Sequence, residues 1–422
     1  MLGGGRLWRH ADFVKLWVGQ TISVVGSQVT TLALPTIAIL LLHATAAQVG
    51  LLASLERVAF PVLALFVGVW IDRVRRRPLM IAADALRAVA LLSIPVAAAI
   101  GTLTLLQLYA VAAVLGVGTV IFDIGYLAYV PTLAGRADLL EANTKLEVSH
   151  SGSYLTGPAL AGGLIQLVGA AQAMLADALS FLVSVATIAW IQQTEPSPRL
   201  EGHPRMGVLA EIRDGLRLVF GNPILRSMAL LLTVGALGFH LAEPAFYLFA
   251  YRNLGLSPGA LGLVFAAGGV GAVIGAFMVG TVIRHLGLGA TLAITVAGVG
   301  AGFLIWPLAL VVLPLATLVG AEFLVGVCDS IYNVSQVSLR QSVTPDDLQG
   351  RMTATLRTMF WGAWPLANLA GGILAGAVGA PLTIVTGGLI GMASALIVVF
   401  GPLGRLRQQP GVAGHHREAH ES

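Results

Sequence analysis

The sequence has a single cysteine, Cys328, and only two lysines, Lys15 and Lys145, in 422 residues. One thiol cannot close an internal disulfide, and no Cys/His grouping has the spacing of a zinc site, so disulfide scaffolds and zinc modules are excluded. Neither lysine follows a glycine. The Gly-Lys-Ser/Thr end of a phosphate-cradling loop is therefore absent, and with it an ATP motor of that kind. Charge is scarce too: 10% of residues are Asp, Glu, Lys or Arg, against about 25% in a soluble domain. Lys plus Arg exceed Asp plus Glu by only 24 to 20, too little to suggest a nucleic-acid binder. What is abundant is apolar surface, with 57% hydrophobic residues and a mean hydropathy of +0.87. No single soluble core hides that much, so the chain reads as an all-α membrane protein.

A helix needs about 20 mainly apolar residues to cross the roughly 30 Å hydrocarbon layer. Measured against that length, the sequence predicts twelve spans, near 13–42, 47–71, 78–100, 103–130, 146–169, 172–193, 224–251, 257–283, 288–306, 312–340, 351–378 and 381–404. Basic residues accumulate in short cytoplasmic loops. With the N-terminus inside, the inner loops hold Arg73, Arg75, Arg76 and Arg77, then Arg136 and Lys145, then Arg199, Arg205, Arg213 and Arg217, while the outer loops hold almost only Arg252. Both termini are thus expected in the cytoplasm. The Arg6 and Arg9 leader precedes a run too long for a cleaved signal, so it opens the first retained span.

The polar stretch between Glu195 and Arg226 separates six spans from six. The expected organisation is a six-helix bundle over 1–194, a linker over 195–222, a second bundle over 223–404 and a tail over 405–422. Val208, Ile212 and Leu216 recur at helical spacing, which suits either an amphipathic helix on the membrane surface or a solvated connector. The tail histidines His415, His416 and His420 read as a disordered segment rather than a metal site. An internal echo supports duplication. Asp123-x-x-Tyr126 matches Asp329-x-x-Tyr332, and each aspartate is followed at the same interval by a cation, Lys145 or Arg351. Pro158 and Pro365 then follow those cations at intervals that differ by a single position. Transporters are commonly built from such repeated bundles.

Between the second and third spans stands Gly68-Val-Trp-Ile-Asp72-Arg73-Val-Arg-Arg76-Arg77-Pro-Leu-Met80. Here a glycine lets helices close, an aspartate ends a helix, and arginines hold a tight turn at an anionic leaflet. The run resembles the cytoplasmic signature of the major facilitator superfamily, Gly-x-x-x-Asp-Arg-x-Gly-Arg-Arg. Gly68, Asp72, Arg73, Arg76 and Arg77 fall on the pattern, and Arg75 replaces its second glycine. The stretches Asp123 to Gly163 and Tyr332 to Gly372 resemble the drug:proton antiporter branch that contains the enterobactin exporter and macrolide efflux proteins. The resemblance implies a twelve-helix fold of two six-helix pseudo-repeats and efflux driven by proton antiport. It also implies a latch at the signature loop involving Asp72 and Arg76, with Asp123 as the joining carboxylate. The second-half copy is eroded to Gly280-x-x-x-Arg284, so an equivalent latch there is not expected.

An ionisable side chain inside the membrane needs a partner, a watery cavity or a neutralising proton. Five such residues are the candidates for proton coupling or the substrate cavity: Glu56, Arg57, His240, Glu243 and Glu322. Glu56 and Arg57 are adjacent, point about 100° apart and are not expected to pair. His240 and Glu243 share a face beside Pro244 and suit a proton relay. Glu322 and Asp329, seven apart, share a face of the tenth span, with Asp329 taken for an inner-gate position. Asp84 and Arg87 read as an internal salt bridge, and Asp177 as a group reaching interfacial water. Gly268, Ala272, Ala276 and Gly280 form a small-residue packing stripe. The aromatic residues Phe246, Tyr247, Trp361 and Trp364 suit either the walls of a greasy pocket or lipid-facing and interfacial positions. The expected reading is a bacterial inner-membrane exporter of small hydrophobic or amphiphilic molecules, working as a monomer without cofactor, metal or nucleic acid. Its partners are the substrate, the proton gradient and the bilayer. A nutrient importer and a transport-dead receptor are the alternatives, and no nucleophile, base and oxyanion set suggests an enzyme.

Overall fold

A computed structural model describes residues 6–71, 73–135, 138–195, 208–345 and 348–408. Among the described residues all regular structure is helical, and twelve long helices with one short one account for nearly all of it. The first six are α1 (Ala11–Thr36), α2 (Ala46–Ile71), α3 (Arg76–Ala99), α4 (Leu105–Ala134), α5 (Leu139–Val168) and α6 (Ala170–Ala189). The short helix α7 (Val208–Gly221) precedes α8 (Pro223–Leu248), α9 (Pro258–Leu286), α10 (Leu288–Ile305), α11 (Pro314–Ser342), α12 (Gln349–Val378) and α13 (Ala380–Val399). The fifth span begins well before its apolar run, because α5 continues through its polar N-terminal turns.

Ten of the twelve long helices are long and apolar enough to cross a membrane by composition alone. The other two, α5 and α12, are the fifth of each six. Their first turns carry Glu141, Lys145 and Glu147 in one and Arg351 and Arg357 in the other. Thirty residues at 1.5 Å each give about 45 Å, so these polar turns extend past a hydrocarbon core of roughly 30 Å.

The described residues form two compact units, Met1–Glu201 with Leu256–Ala266, and Gly202–Gly255 with Ala267–Ser422. Within the first, α1 packs on α5 and α6, α3 on α4 and α6, and α2 on α4. Within the second, α8 packs on α12 and α13, and α10 on α11 and α13, while α9 meets α11 through closely approaching glycines. Phe13, Leu16, Met80, Phe122 and Tyr129 fill the core of the first. Met228, Leu231, Leu292, Leu339 and Val398 do so in the second.

The two sets of six are one pattern twice. Ala11 and Pro223, Ile37 and Phe249, and Ala46 and Pro258 open equivalent elements, all three pairs separated by the same stretch of chain. Both α1 and α8 run on into a single π turn, Ile37–Leu41 and Phe249–Asn253. These turns close with Leu42 N to Ile37 O and Leu254 N to Phe249 O, both 3.1 Å. Gly169 and Gly379 make the corners into α6 and α13 at φ 90° and 89°, a left-handed conformation that a side chain would strain.

This register corrects the sequence echo. A Cβ on Gly116 would stand 2.5 Å from the Glu56 carbonyl oxygen, and one on Gly326 would meet the Gly268 carbonyl closer still. Gly116 and Gly326 are therefore equivalent. Measured against that pair, Asp123 and Asp329 are four positions out of register, as are Lys145 and Arg351, and Pro158 and Pro365 are three out. Three or four positions make about one helical turn, so a slipped match keeps its face and looks like a true repeat.

Candidate functional site

A polar and aromatic grouping in the second unit is built on α8 and α12. His240 and Glu243 lie three apart on α8, so they share a face, and Nδ1 of His240 stands 2.8 Å from Oε2 of Glu243. The indole Nε1–H of Trp364, from α12, donates to the same oxygen at 3.4 Å. The Trp364 ring stacks on the imidazole with centroids 4.0 Å apart. Phe239 and Phe360 approach the imidazole edge at 5.0 and 6.4 Å, and Trp361 meets Trp364 at 5.6 Å. The His240 side chain is 5% exposed and that of Glu243 29%. The short contact thus has a sheltered imidazole end and a more accessible carboxylate end. Of the other aromatic candidates, Phe246 packs 4.0 Å from Trp306 and belongs to the core, as does the buried Tyr247.

Glu56 and Arg57 do meet, contrary to the expectation from their adjacency: Arg57 Nη2 lies 3.5 Å from Glu56 Oε1. A guanidinium on a long flexible stem crosses the angle between neighbouring Cα–Cβ bonds. Glu56 sits where α2 crosses α4 at Gly116. In the equivalent crossing of α9 and α11 the carboxylate is on the other helix. Glu322 is 8% exposed, and a Cβ on Gly268 would stand 3.2 Å from its Oε2. The small-residue seam of α9 against α11 uses Gly268, Gly271 and Gly275, whereas Ala276 and Gly280 are exposed. Asp329, on the face of Glu322, is exposed.

On α3 and α6 the first unit buries charges. Asp84 and Arg87 form an ion pair across one turn of α3, fully enclosed on the carboxylate side. The guanidinium lies over the rings of Phe122 and Phe181, at 4.8 and 4.2 Å. Asp177 does not reach interfacial water. It is 1% exposed and accepts from Thr30, from Ser180 Oγ at 3.0 Å and from Ser27 Oγ at 3.4 Å. Packing of α6 on α1 at Gly26 draws the carboxylate inside the bundle.

At the turn between α2 and α3, Asp72 lies outside the described residues. The Glu195 carboxylate, beyond α6, accepts from the backbone N–H of Arg76 at 2.8 Å and of Arg77 at 3.3 Å. It thereby caps the N-terminus of α3, with Arg76 Nε at 4.0 Å. Arg77 reaches back to the end of α6, donating to the carbonyls of Ile188, at 3.0 Å, and Ala189. Asp12 and Lys15 work at the same place. Asp12 accepts from the N–H of Gln193 at 2.8 Å, and Lys15 donates to the Trp190 carbonyl at 2.8 Å. Arg73 is exposed and Asp123 half-buried. A Cβ on Gly68 would meet no heavy atom within 4 Å among the described residues. Glu195, Asp12 and Lys15 were invisible to sequence reasoning, since no motif links them and only the α6 terminus brings them together.

Two matched sets of six long helices, ten of the twelve apolar enough to cross a membrane, have the pattern of a multi-pass membrane protein of the duplicated-bundle class. The chain belongs to the Major Facilitator Superfamily, whose sequence profile matches residues 16–367. It is 27% identical over 392 residues to the multidrug efflux pump Tap of Mycolicibacterium fortuitum, spanning 91% of this chain and 93% of that one. It is 25% identical over 419 residues to the enterobactin exporter EntS of Citrobacter koseri, spanning 96% and 95%. The fold is similar to the crystal structure of a bacterial homologue of the iron transporter ferroportin in an inward-facing state, with a TM-score of 0.75 at 17% identity over 94% and 99% of the two chains. It is also similar to the nucleoside transporter NupG, with a TM-score of 0.68 at 12% identity over 92% and 98%. At such identities these structures establish the fold and say nothing of the cargo.

Proposed function

We propose that the protein exports small hydrophobic or amphiphilic molecules across a bacterial cytoplasmic membrane in exchange for protons, by alternating access. The observation that carries this reading is the 2.8 Å contact of His240 with Glu243 beneath the Trp364 ring. A carboxylate in an apolar slab must be neutralised by a proton or by a donor on a ligand. Proton and cargo then compete for the accessible face of Glu243, which is the rule an antiporter needs. The imidazole passes the proton on, and Phe239, Phe360, Trp361 and Trp364 offer flat apolar faces to a drug-like or siderophore-like molecule. Export is favoured over import by the names of the two relatives above, one an efflux pump and one an exporter. Residues 1–194 and 223–404 are the two moving bundles, joined by 195–222, with both termini in the cytoplasm. The proton-linked charge change biases their two arrangements. Asp72, Arg76 and Asp123 act in the cytoplasmic latch. Glu56, Arg57 and Glu322 serve as secondary cavity groups.

The test is compound accumulation in a host stripped of efflux systems. Expression should lower the retention of at least one amphiphilic compound, a protonophore should restore it, and Glu243→Gln should restore it equally with the protein still in the membrane. Retention indifferent to the protonophore across the panel would remove antiport. Normal efflux by Glu243→Gln would move the proton site away from α8.

A further inference from the structure

We propose that α7 is a docking helix for anionic phospholipid headgroups, seated between the transporter and the leaflet it borders. One side of α7 is committed to protein. Val219 is fully buried and packs with Leu225, Met352 and Leu356. Gly215 lies against Thr355 and 3.4 Å, measured from where its Cβ would be, from the Arg351 carbonyl. Asp214 is turned to the same helix, its Oδ2 3.9 Å from Arg351 Nη1.

The other side is what a water-facing helix should not have. Leu216 and Phe220 are 39% and 41% exposed, and the Arg213 side chain is 62% exposed beside an exposed Arg217. Residues 213, 216, 217 and 220 fall within one stripe of about 100° on an α-helix. Two cations interleaved with two large apolar groups match the boundary where lipid phosphates meet acyl chains.

Depth supports the same occupant. Asn222 both ends α7 and caps α8, accepting from Ile224 N at 2.9 Å, so the helix stops where a membrane span begins. The residues of α12 on which it rests, Arg351 to Leu356, belong to the polar turns that extend beyond the hydrocarbon. The stripe therefore stands at headgroup level. A soluble acidic partner would satisfy the arginines but not Leu216 and Phe220 at that depth.

The full-length protein, placed in nanodiscs of phosphatidylcholine alone or with a quarter phosphatidylglycerol, decides the matter through amide hydrogen exchange over 213–221. Exchange should slow by roughly tenfold in the anionic discs, from two arginines at a charged surface, and the difference should shrink at high salt. R213Q/R217Q should abolish the difference while leaving α8 exchange unchanged. Equal exchange of the native protein in both discs overturns the proposal without any variant. So does a difference that R213Q/R217Q retains, or slow exchange in both discs that Phe220→Ser leaves unaltered.

Discussion

The two six-helix sets share helix order, pairings, π turns and corner glycines, yet they place their charges differently. In the register that matches Ala11 with Pro223, His240 stands where the first set has Gln28, and Glu243 where it has Thr31. In the register that matches α6 with α13, Asp177 stands where the second set has Gly387, and Gly238 faces that glycine as Gly26 faces Asp177. The first set seals Asp84, Arg87 and Asp177 into its helix packing. The second encloses Glu322 as well, but holds Glu243 partly exposed, in contact with His240 under the Trp364 indole. Duplication preserved the places where backbones touch, because those tolerate little change, and left the intervening side chains free to take up chemistry.

The contrast has measurable edges. The largest expected effect is on Arg87→Ala, which leaves the enclosed Asp84 carboxylate without its cation and should cost about 3–5 kcal/mol. Little folded protein should then be recovered from membranes. A variant that melts like the native protein would show that the first set is not sealed. Next comes transport: Glu243→Gln should remove most efflux without lowering the melting temperature, whereas Glu56→Gln, whose partner Arg57 is adjacent and half-exposed, should keep much of it. The reverse ranking would shift the chemistry to the first set.

A smaller effect separates the two glycine crossings. Gly116→Ala places a methyl against a backbone carbonyl that cannot retreat and should destabilise by about 1–3 kcal/mol. Gly268→Ala first meets the Glu322 carboxylate, which can rotate away, and should cost less in a thermal melt. The smallest is Glu195→Gln, which weakens a helix cap by about 1 kcal/mol. An unchanged melting curve there would mean the Arg76 and Arg77 amides find another acceptor.

Much of this was legible in the residues. The twelve long helices follow from apolar run lengths, and the family from the likeness of the run from Gly68 to Arg77 to a known signature. The pairing of His240 with Glu243 followed from helical spacing, because a separation of three brings side chains onto one face. The Glu56 and Arg57 contact did not, since spacing describes where side chains start and not how far a flexible one bends. Asp177 looked interfacial from its distance along the chain to Gly169, and the close approach of α1 to α6 drew it inside. The echo of Asp123 in Asp329 was a turn out of register, because face periodicity cannot tell one turn from the next.

The family shows in the likeness of the run from Gly68 to Arg77 to a known signature, while composition and apolar spacing alone settled the solvent this chain folds in and the number of its long helices. Those properties are set by local sums, namely apolar length against bilayer thickness and basic residues against an anionic surface. Only the tertiary structure decided which charges are enclosed, that Trp364 covers His240 and that Glu195 caps α3. Each of these depends on groups far apart in the chain meeting at one point, and no local pattern specifies such a meeting.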